Sequence, residues 1–246
     1  MIIPALHRDA RPVDSRVHRR TTIKLPIASW AHLAGTNALF VTAAECAQVA
    51  CDYPIVFVKA GDDPQGGVDY APIAVLGLKQ GENLYVDQGS WRAMQLPSLM
   101  GTYPFCIARS DAEHFAVCVD AAYEGLAEGG DGERLFDDAG QATEFATRVK
   151  TELERLEGHV QGTRQAVRRL AELGLLVDKR FDATLPDGST LAVEGFLMVD
   201  EDKLKALPDA TLLELHRNGL MRLVHAHWVS LGQMRRLLTW RIARGA

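Results

Sequence analysis

Trp91, Tyr103 and Phe105 follow closely on Glu82 and Asn83 in the stretch from Pro72 to Phe105. An aromatic ring beside a polar turn can stack on a sugar, a peptide or a base-like ligand, with a polar handle at the ring edge. The same residues have a plainer use, with Trp91 closing the open end of a sheet and Asn83 holding a turn by side-chain hydrogen bonds. His225, His227 and Trp228 form a second candidate set. On a helix, residues two apart point about 200° from each other, so two such histidines do not readily ligate one metal. A zinc helix of the HExxH type spaces its ligands four apart. A site there needs His18, His32 or a distant carboxylate as partner; otherwise the pair is structural.

Other chemistries find little footing. There is no GxSxG elbow and no Cys–His signature. LGLKQGENL carries two glycines near a strand, but it lacks GxGxxG and the helix that must follow. DGERLFDDAGQATE imitates a calcium loop loosely, yet Leu135 and Phe136 fall where oxygen ligands should continue, so a solvated loop is expected. The cysteines are Cys46, Cys51, Cys106 and Cys118. None forms a CxxC pair and each lies in an apolar run, so buried free thiols in a reducing compartment are expected. No catalytic residue, metal or cofactor is assigned.

At 246 residues the chain can bury one large core, or two lobes sharing one. A net charge of −5 gives no general reason to expect nucleic-acid binding. The start, MIIPALHRDARPVDSRVHRR, reverses the order of a secretory signal, and no apolar run approaches the roughly 20 residues needed to span a bilayer. The expectation is a cytoplasmic protein that is not integral to a membrane. Arg8, Arg11, Arg16, Arg19 and Arg20 make residues 1–24 a basic, irregular arm, either a contact for an acidic partner or a solvated segment lying across the domain. The late arginines Arg235, Arg236, Arg241 and Arg244 leave a similar choice between an anionic membrane surface and cations placed at a helix C-terminus.

The elements that must position these residues read as follows. Ala43 to Cys51 forms a short helix that Tyr53-Pro54 ends. Ile55–Lys59, Ile73–Leu78, Asn83–Asp87, Tyr103–Ala108 and Phe115–Asp120 read as five strands of one antiparallel meander, with Ser110-Asp111 in its last turn. Thr143 to Leu173 is a long helix with Phe145, Val149, Leu153, Leu156, Val160, Val167 and Leu170 on one stripe, and a kink or close packing is expected at Gly158 and Gly162. Arg180–Leu185 and Thr190–Val199 flank the turn Pro186-Asp187-Gly188-Ser189. Leu191, Val193, Gly195, Leu197 and Val199 alternate onto one face. Asp200 caps a short helix, and Thr211 to Ala243 is helical with breaks at Gly219 and Gly232.

The order of these pieces resembles the bacterial SapC family over roughly Val17 to Leu238. The residues that carry it are Val17-His18, Ala43-Ala44-Glu45 into Tyr53-Pro54-Ile55-Val56-Phe57, Leu76-Gly77-Leu78 with Glu82-Asn83-Leu84, Trp91 to Pro97, and Tyr103-Pro104-Phe105. Later come Gly132-Glu133-Arg134-Leu135-Phe136, Glu194-Gly195-Phe196, Val199 to Leu204, and His225-Ala-His227 with Ser230-Leu231. The stretch before Tyr103 departs, with Leu96 and Met100-Gly101-Thr102 where the resemblance implies an aromatic and basic residues. The resemblance implies a link to a bacterial surface layer, or to outer-membrane nutrient receptors encoded beside cupin-like hydroxylases and flavin halogenases. It brings no catalytic residues, and it is distinct from the peptide-transporter permease of the same name.

The fold class expected is α+β, an antiparallel sheet with a long helix, a late β-hairpin and a C-terminal helical region. One domain is expected over 1–246, with the basic arm at 1–24, a mainly β lobe at 25–138 and a helix-hairpin-helix lobe at 139–246. The function expected is that of a non-catalytic accessory or binding protein with a protein partner, with room for a small ligand at Trp91, Tyr103, Phe105, Glu82 and Asn83. The alternative is an enzyme acting on a peptide or carbohydrate near Trp91 or the late histidines.

Overall fold

The computed structural model describes residues 2–62, 66–109 and 115–245. In chain order it has strands β1 (Ala10–Pro12), β2 (Thr21–Ile23) and β3 (Ala38–Phe40), helix α1 (Cys46–Val49), then strands β4 (Ile55–Asp62), β5 (Val68–Val75), β6 (Val86–Asp87) and β7 (Ser90–Trp91). Helix α2 (Ser98–Gly101) precedes strands β8 (Phe105–Arg109), β9 (Phe115–Asp120), β10 (Leu126–Glu128) and β11 (Glu133–Arg134). Helix α3 (Glu144–Glu172) leads to the hairpin β12 (Leu176–Thr184) and β13 (Thr190–Val199). Helices α4 (Glu201–Lys205), α5 (Asp209–Arg217), α6 (Leu220–Ser230) and α7 (Gln233–Ala243) follow. The class is α+β with antiparallel sheets. No helix among the described residues is long and apolar enough to cross a membrane.

Two compact units interleave in sequence. The first takes residues up to Leu33, then Val86–Trp91 and Ser98–Gly158; the second takes Ala34–Tyr85, Arg92–Pro97 and the chain from His159 on. The first unit holds the sheets β1-β9-β8 and β10-β2-β11 and the two-stranded β6-β7. Its apolar centre is Ile23, Phe105, Ile107, Val119, Leu135 and Leu153, with Phe145 and Val149 packed against it. The second unit holds one sheet in the order β12-β13-β4-β5-β3.

The expected five-stranded meander is therefore divided. Strands β4 and β5 join β3 and the late hairpin, whereas β8 and β9 join β1. Of Asn83–Asp87 only Val86 and Asp87 are strand, because the Asn83 side chain takes the Tyr85 N–H that a neighbouring strand would otherwise accept, at 2.9 Å. The Ser110-Asp111 turn lies outside the described residues. The basic arm is not irregular throughout: β1 pairs with β9, and β2 sits between β10 and β11.

Helix α3 buries Leu153, Leu156, Val160, Thr163, Val167 and Leu170, a repeat of three and four residues. Thr163 fills the one polar position of the stripe by accepting the Ala43 N–H at 2.8 Å and donating to the His159 carbonyl at 2.6 Å. Gly158 and Gly162 face open space rather than a close neighbour, and the helix runs unbroken through both. Asp200 caps α4 by accepting the Lys203 N–H at 2.9 Å. Breaks fall at Gly219 and Gly232, as the sequence suggests.

The simple alternation expected along β13 fails at Gly195, which has φ +82° beside a register shift between Lys179 and Phe181. A bulge inserts a residue and moves the following side chains to the other face. Phe196 and Leu197, on opposite faces, are both buried, with Val199, so both faces of this end of the strand are covered, while Gly195 itself is exposed. Two glycine substitutions should then act in opposite directions. Gly195→Ala forces a side chain into the left-handed region at a cost of about 1–2 kcal/mol. Gly162→Ala, in a helix with room for the methyl, should stabilise by up to about 1 kcal/mol. Denaturant unfolding of both variants checks the pair; equal shifts of one sign would contradict this account.

Candidate functional site

In the first unit, Tyr103 stands just before β8 and its hydroxyl donates to Asp120 Oδ2 at 2.9 Å. Asp120 ends β9 and is fully buried. A carboxylate removed from water must be met by donors. Here Oδ1 accepts the N–H of Asp9 at 2.8 Å and of Ala122 at 3.3 Å, and Arg8 Nε lies 4.0 Å from Oδ2. Arg8 is itself held by the Ala122 carbonyl at 2.6 Å.

Around Tyr103 stands a wall of rings. His32 stacks on it with centroids 5.2 Å apart and planes at 27°. Trp30, His7 and Tyr123 lie at 5.8, 6.1 and 5.4 Å. Trp91 meets Trp30 edge to face at 6.3 Å. The Trp30 N–H donates to the Gly89 carbonyl at 2.8 Å, which fixes the turn between β6 and β7 and with it Trp91. Trp91 is half-buried, whereas Trp30 and Tyr103 are buried.

The two histidines are neutral at pH 7. Burial pulls His7 down to about 4, against an opposing pull from Asp120. Burial and then Arg8 lower His32 as well. His7 Nδ1 accepts the Ile3 N–H at 3.1 Å. The Nε2 atom of His32 is buried and meets no hydrogen-bond partner among the described residues, whereas the His7 ring also faces the Phe105 backbone. Burial, followed by the bond to Asp120, raises the Tyr103 phenol. The cluster thus combines aromatic faces with a buried His32 nitrogen, and burial favours the neutral form of both imidazoles and of the Tyr103 phenol.

The other sequence candidates have structural employment. Phe105 is in the apolar centre, edge to face with Phe145 at 6.0 Å. Glu82 and Asn83 belong to the second unit. Glu82 accepts the Leu78 N–H at 2.8 Å through Oε2 and bonds through Oε1 to Arg241, which is 2% exposed. The Asn83 carbonyl accepts from Arg244 at 2.8 Å. Arg236 lies 3.4 Å from Asp52 and stacks over Trp240 at 5.8 Å. Of these late arginines Arg241 is buried in the unit, Arg236 is part-exposed, and Arg235 and Arg244 are exposed.

The sequence profile of the SapC family matches residues 13–237. The chain belongs to the SapC family. No curated protein and no solved structure gives a match. The SapC span covers Trp30, His32, Trp91, Tyr103 and Asp120, while His7 and Arg8 precede it.

The late SapC histidines point different ways, as their spacing requires. His225 is exposed, with its ring 5.8 Å from Trp228. His227 is fully buried and both its nitrogens are occupied. Nδ1 lies 2.7 Å from the Ile55 carbonyl, and Nε2 is 3.2 Å from the Val199 N–H that it accepts. Trp228 Nε1 donates to the Val199 carbonyl at 2.9 Å. This set joins two strands rather than offering a site. The residues that sequence reasoning passed over are His7, Trp30 and Asp120, with His32 named only as a partner for the late pair. The available signal was Trp30 and His32 two residues apart in a proline-containing loop; nothing local marks His7 or Asp120.

Burial holds His227 down to about 4. The unfolded chain, with an ordinary histidine near 6.5, takes up its proton first as pH falls. The His227 contribution is therefore complete above pH 6.5 and is lost as pH falls toward and through 4, by on the order of 3 kcal/mol. The stability gap between wild type and His227→Asn should narrow from pH 7 to pH 4.5 in urea unfolding. A gap that stays constant would remove the neutral-imidazole account.

Proposed function

We propose that this SapC-family protein is a non-catalytic accessory or binding protein serving bacterial surface-layer or outer-membrane nutrient-uptake systems. What carries the reading is the Tyr103–Asp120 pair set in a wall of aromatic rings that ends at the half-buried Trp91. Stacking faces with a few fixed polar atoms suit recognition of a sugar, a peptide or a flat heterocycle. Trp91, half-buried at the edge of that wall, is the residue best placed to meet such a ligand or a partner chain.

The titrating groups support binding over turnover. An effective general acid or base has a pKa near the working pH. His7 is pulled well below that point and the Tyr103 phenol is pushed above its usual value. Burial pushes the Cys46 and Cys106 thiols up to about 12, away from the thiolate that would attack a substrate. The four free cysteines agree with a cytoplasmic setting, three of them buried and Cys51 exposed. The partner by family resemblance is a nutrient receptor or a modifying enzyme encoded with it.

An enzyme acting on a peptide or carbohydrate is the second reading. The buried His32 Nε2, which has no hydrogen-bond partner among the described residues, favours it as a nitrogen that the local packing does not use. The late histidines give it no support, because His227 is spent on backbone groups.

Purification of the tagged chain from its native host at endogenous level, with mass spectrometry of what co-elutes, tests the proposal. A receptor, hydroxylase or halogenase recovered near one-to-one is the expected result. Trp91→Ala should lower that recovery by roughly tenfold, the scale for an aromatic anchor, with an unchanged circular dichroism spectrum. A chain that elutes alone, or turns over a peptide or glycan, would overturn the non-catalytic reading.

A further inference from the structure

Away from the aromatic cluster, the first unit has a groove of about 490 Å³ beside β2. Arg19 and Arg20 lead into that strand and line one side. Gly129, Gly130 and Gly132, in the turn between β10 and β11, line the other. The turn is clamped to the arm by the Gly129 N–H, which donates to the Arg20 carbonyl at 2.8 Å. Gly132 has φ +145°, and a Cβ there would lie 2.6 Å from the Ile23 carbonyl, so only glycine lets the turn pack this closely on β2.

Three arginines line the groove, Arg19, Arg20 and Arg134, against one acid, Asp138, for a charge of +2. The acids next in sequence, Glu128, Asp131 and Glu133, are not among the lining residues. Arg134 is oriented by Asp138 at 2.8 Å and by the Arg19 carbonyl at 3.4 Å. Asp138 is 94% exposed, so it is a weak competitor for that guanidinium. The Arg20 guanidinium meets no acceptor among the described residues. Guanidinium forks match the oxygens of phosphate, and a dianion neutralises a charge of +2. The volume exceeds that of one oxyanion and suits a small molecule bearing one.

We infer that this groove binds a phosphate monoester. The phosphate sits between Arg20 and Arg134 and the rest of the molecule lies along the glycine wall. The ester comes either from a soluble metabolite or from a lipid headgroup, and the two sources present the same group.

The test titrates the full-length ¹⁵N-labelled protein with glucose 6-phosphate at low ionic strength. Glucose with matched sodium chloride is the control. Saturable shifts at the Gly129, Gly130 and Gly132 amides are expected. Loss of a charge-assisted pair in Arg20→Gln should weaken binding about tenfold, and Asp138→Asn should tighten it a few-fold by freeing Arg134. Arg20 is exposed and its variant should keep the wild-type melting point; Arg19→Gln serves as a second variant. Sedimentation with vesicles containing phosphatidic acid forms the other arm. Binding in the soluble arm alone assigns a metabolite, and binding to vesicles that Arg20→Gln abolishes assigns a lipid. The inference fails if neither arm binds, if the shifts persist in both variants, or if they spread over Arg8, Arg11 and Arg16.

Discussion

Strands β4 and β13 share a single ladder pair, Leu197 with Phe57, and the five-stranded sheet of the second unit depends on what closes the rest of that seam. Helix α6 closes it with side chains. His227 and Ser230 take the carbonyl and N–H of Ile55, and His227 and Trp228 take the N–H and carbonyl of Val199. Four buried backbone groups that the two strands leave over are met by four contacts from three side chains, His227, Trp228 and Ser230, on one helical turn. Each would otherwise cost a desolvated donor or acceptor. This need explains a neutral imidazole at 227: only the neutral ring donates at one nitrogen and accepts at the other. It also explains why the late hairpin can join strands from far earlier in the chain.

Signals carried by a few neighbouring residues were legible. The stripe of α3, the Pro186–Ser189 turn, the Asp200 cap and the glycine breaks at 219 and 232 all rest on local geometry. Pairing between distant strands was not, because apolar alternation shows that a segment is strand without naming its neighbour. Ile55–Lys59 and Phe115–Asp120 look alike in sequence and went to different sheets. Short strands in a basic arm were illegible for a related reason. Arg11 and Thr22 become strand only because β9, β10 and β11 supply their partners. The bulge at Gly195 reverses the face of everything after it, and a period-two reading has no means of anticipating that.

The candidate site was half legible. Trp91 and Tyr103 were found by composition, and the structure brings both to Trp30. Asp120 was hidden because a carboxylate at the end of an apolar strand reads as a strand terminus. Its role appears only once Asp9, Ala122 and Tyr103 converge on it. Glu82, Asn83 and His227 were conspicuous for the opposite reason. Polar residues in apolar surroundings suggest chemistry, but a fold with irregular connections needs such residues to satisfy its own backbone.

That distinction separates structural from available chemistry throughout the molecule. Arg241 is buried against Glu82, Arg244 caps two carbonyls and Arg236 meets Asp52. The Arg241 charge is spent inside the fold, while Arg236 and Arg244 tie exposed or part-exposed guanidinium groups to nearby backbone and Asp52. Groups that the packing leaves over occur in both units: the His32 Nε2 beside a stacking wall and the Arg20 guanidinium over a backbone of glycines in the first, and the Nε atom of Arg241 in the second. A protein that evolved only to be stable gains nothing from a buried imidazole nitrogen without a partner, since such a group costs desolvation with no compensating bond. The physical reason to place recognition in the first unit is therefore the combination there of an unused imidazole nitrogen with a half-buried Trp91 at the edge of the aromatic wall.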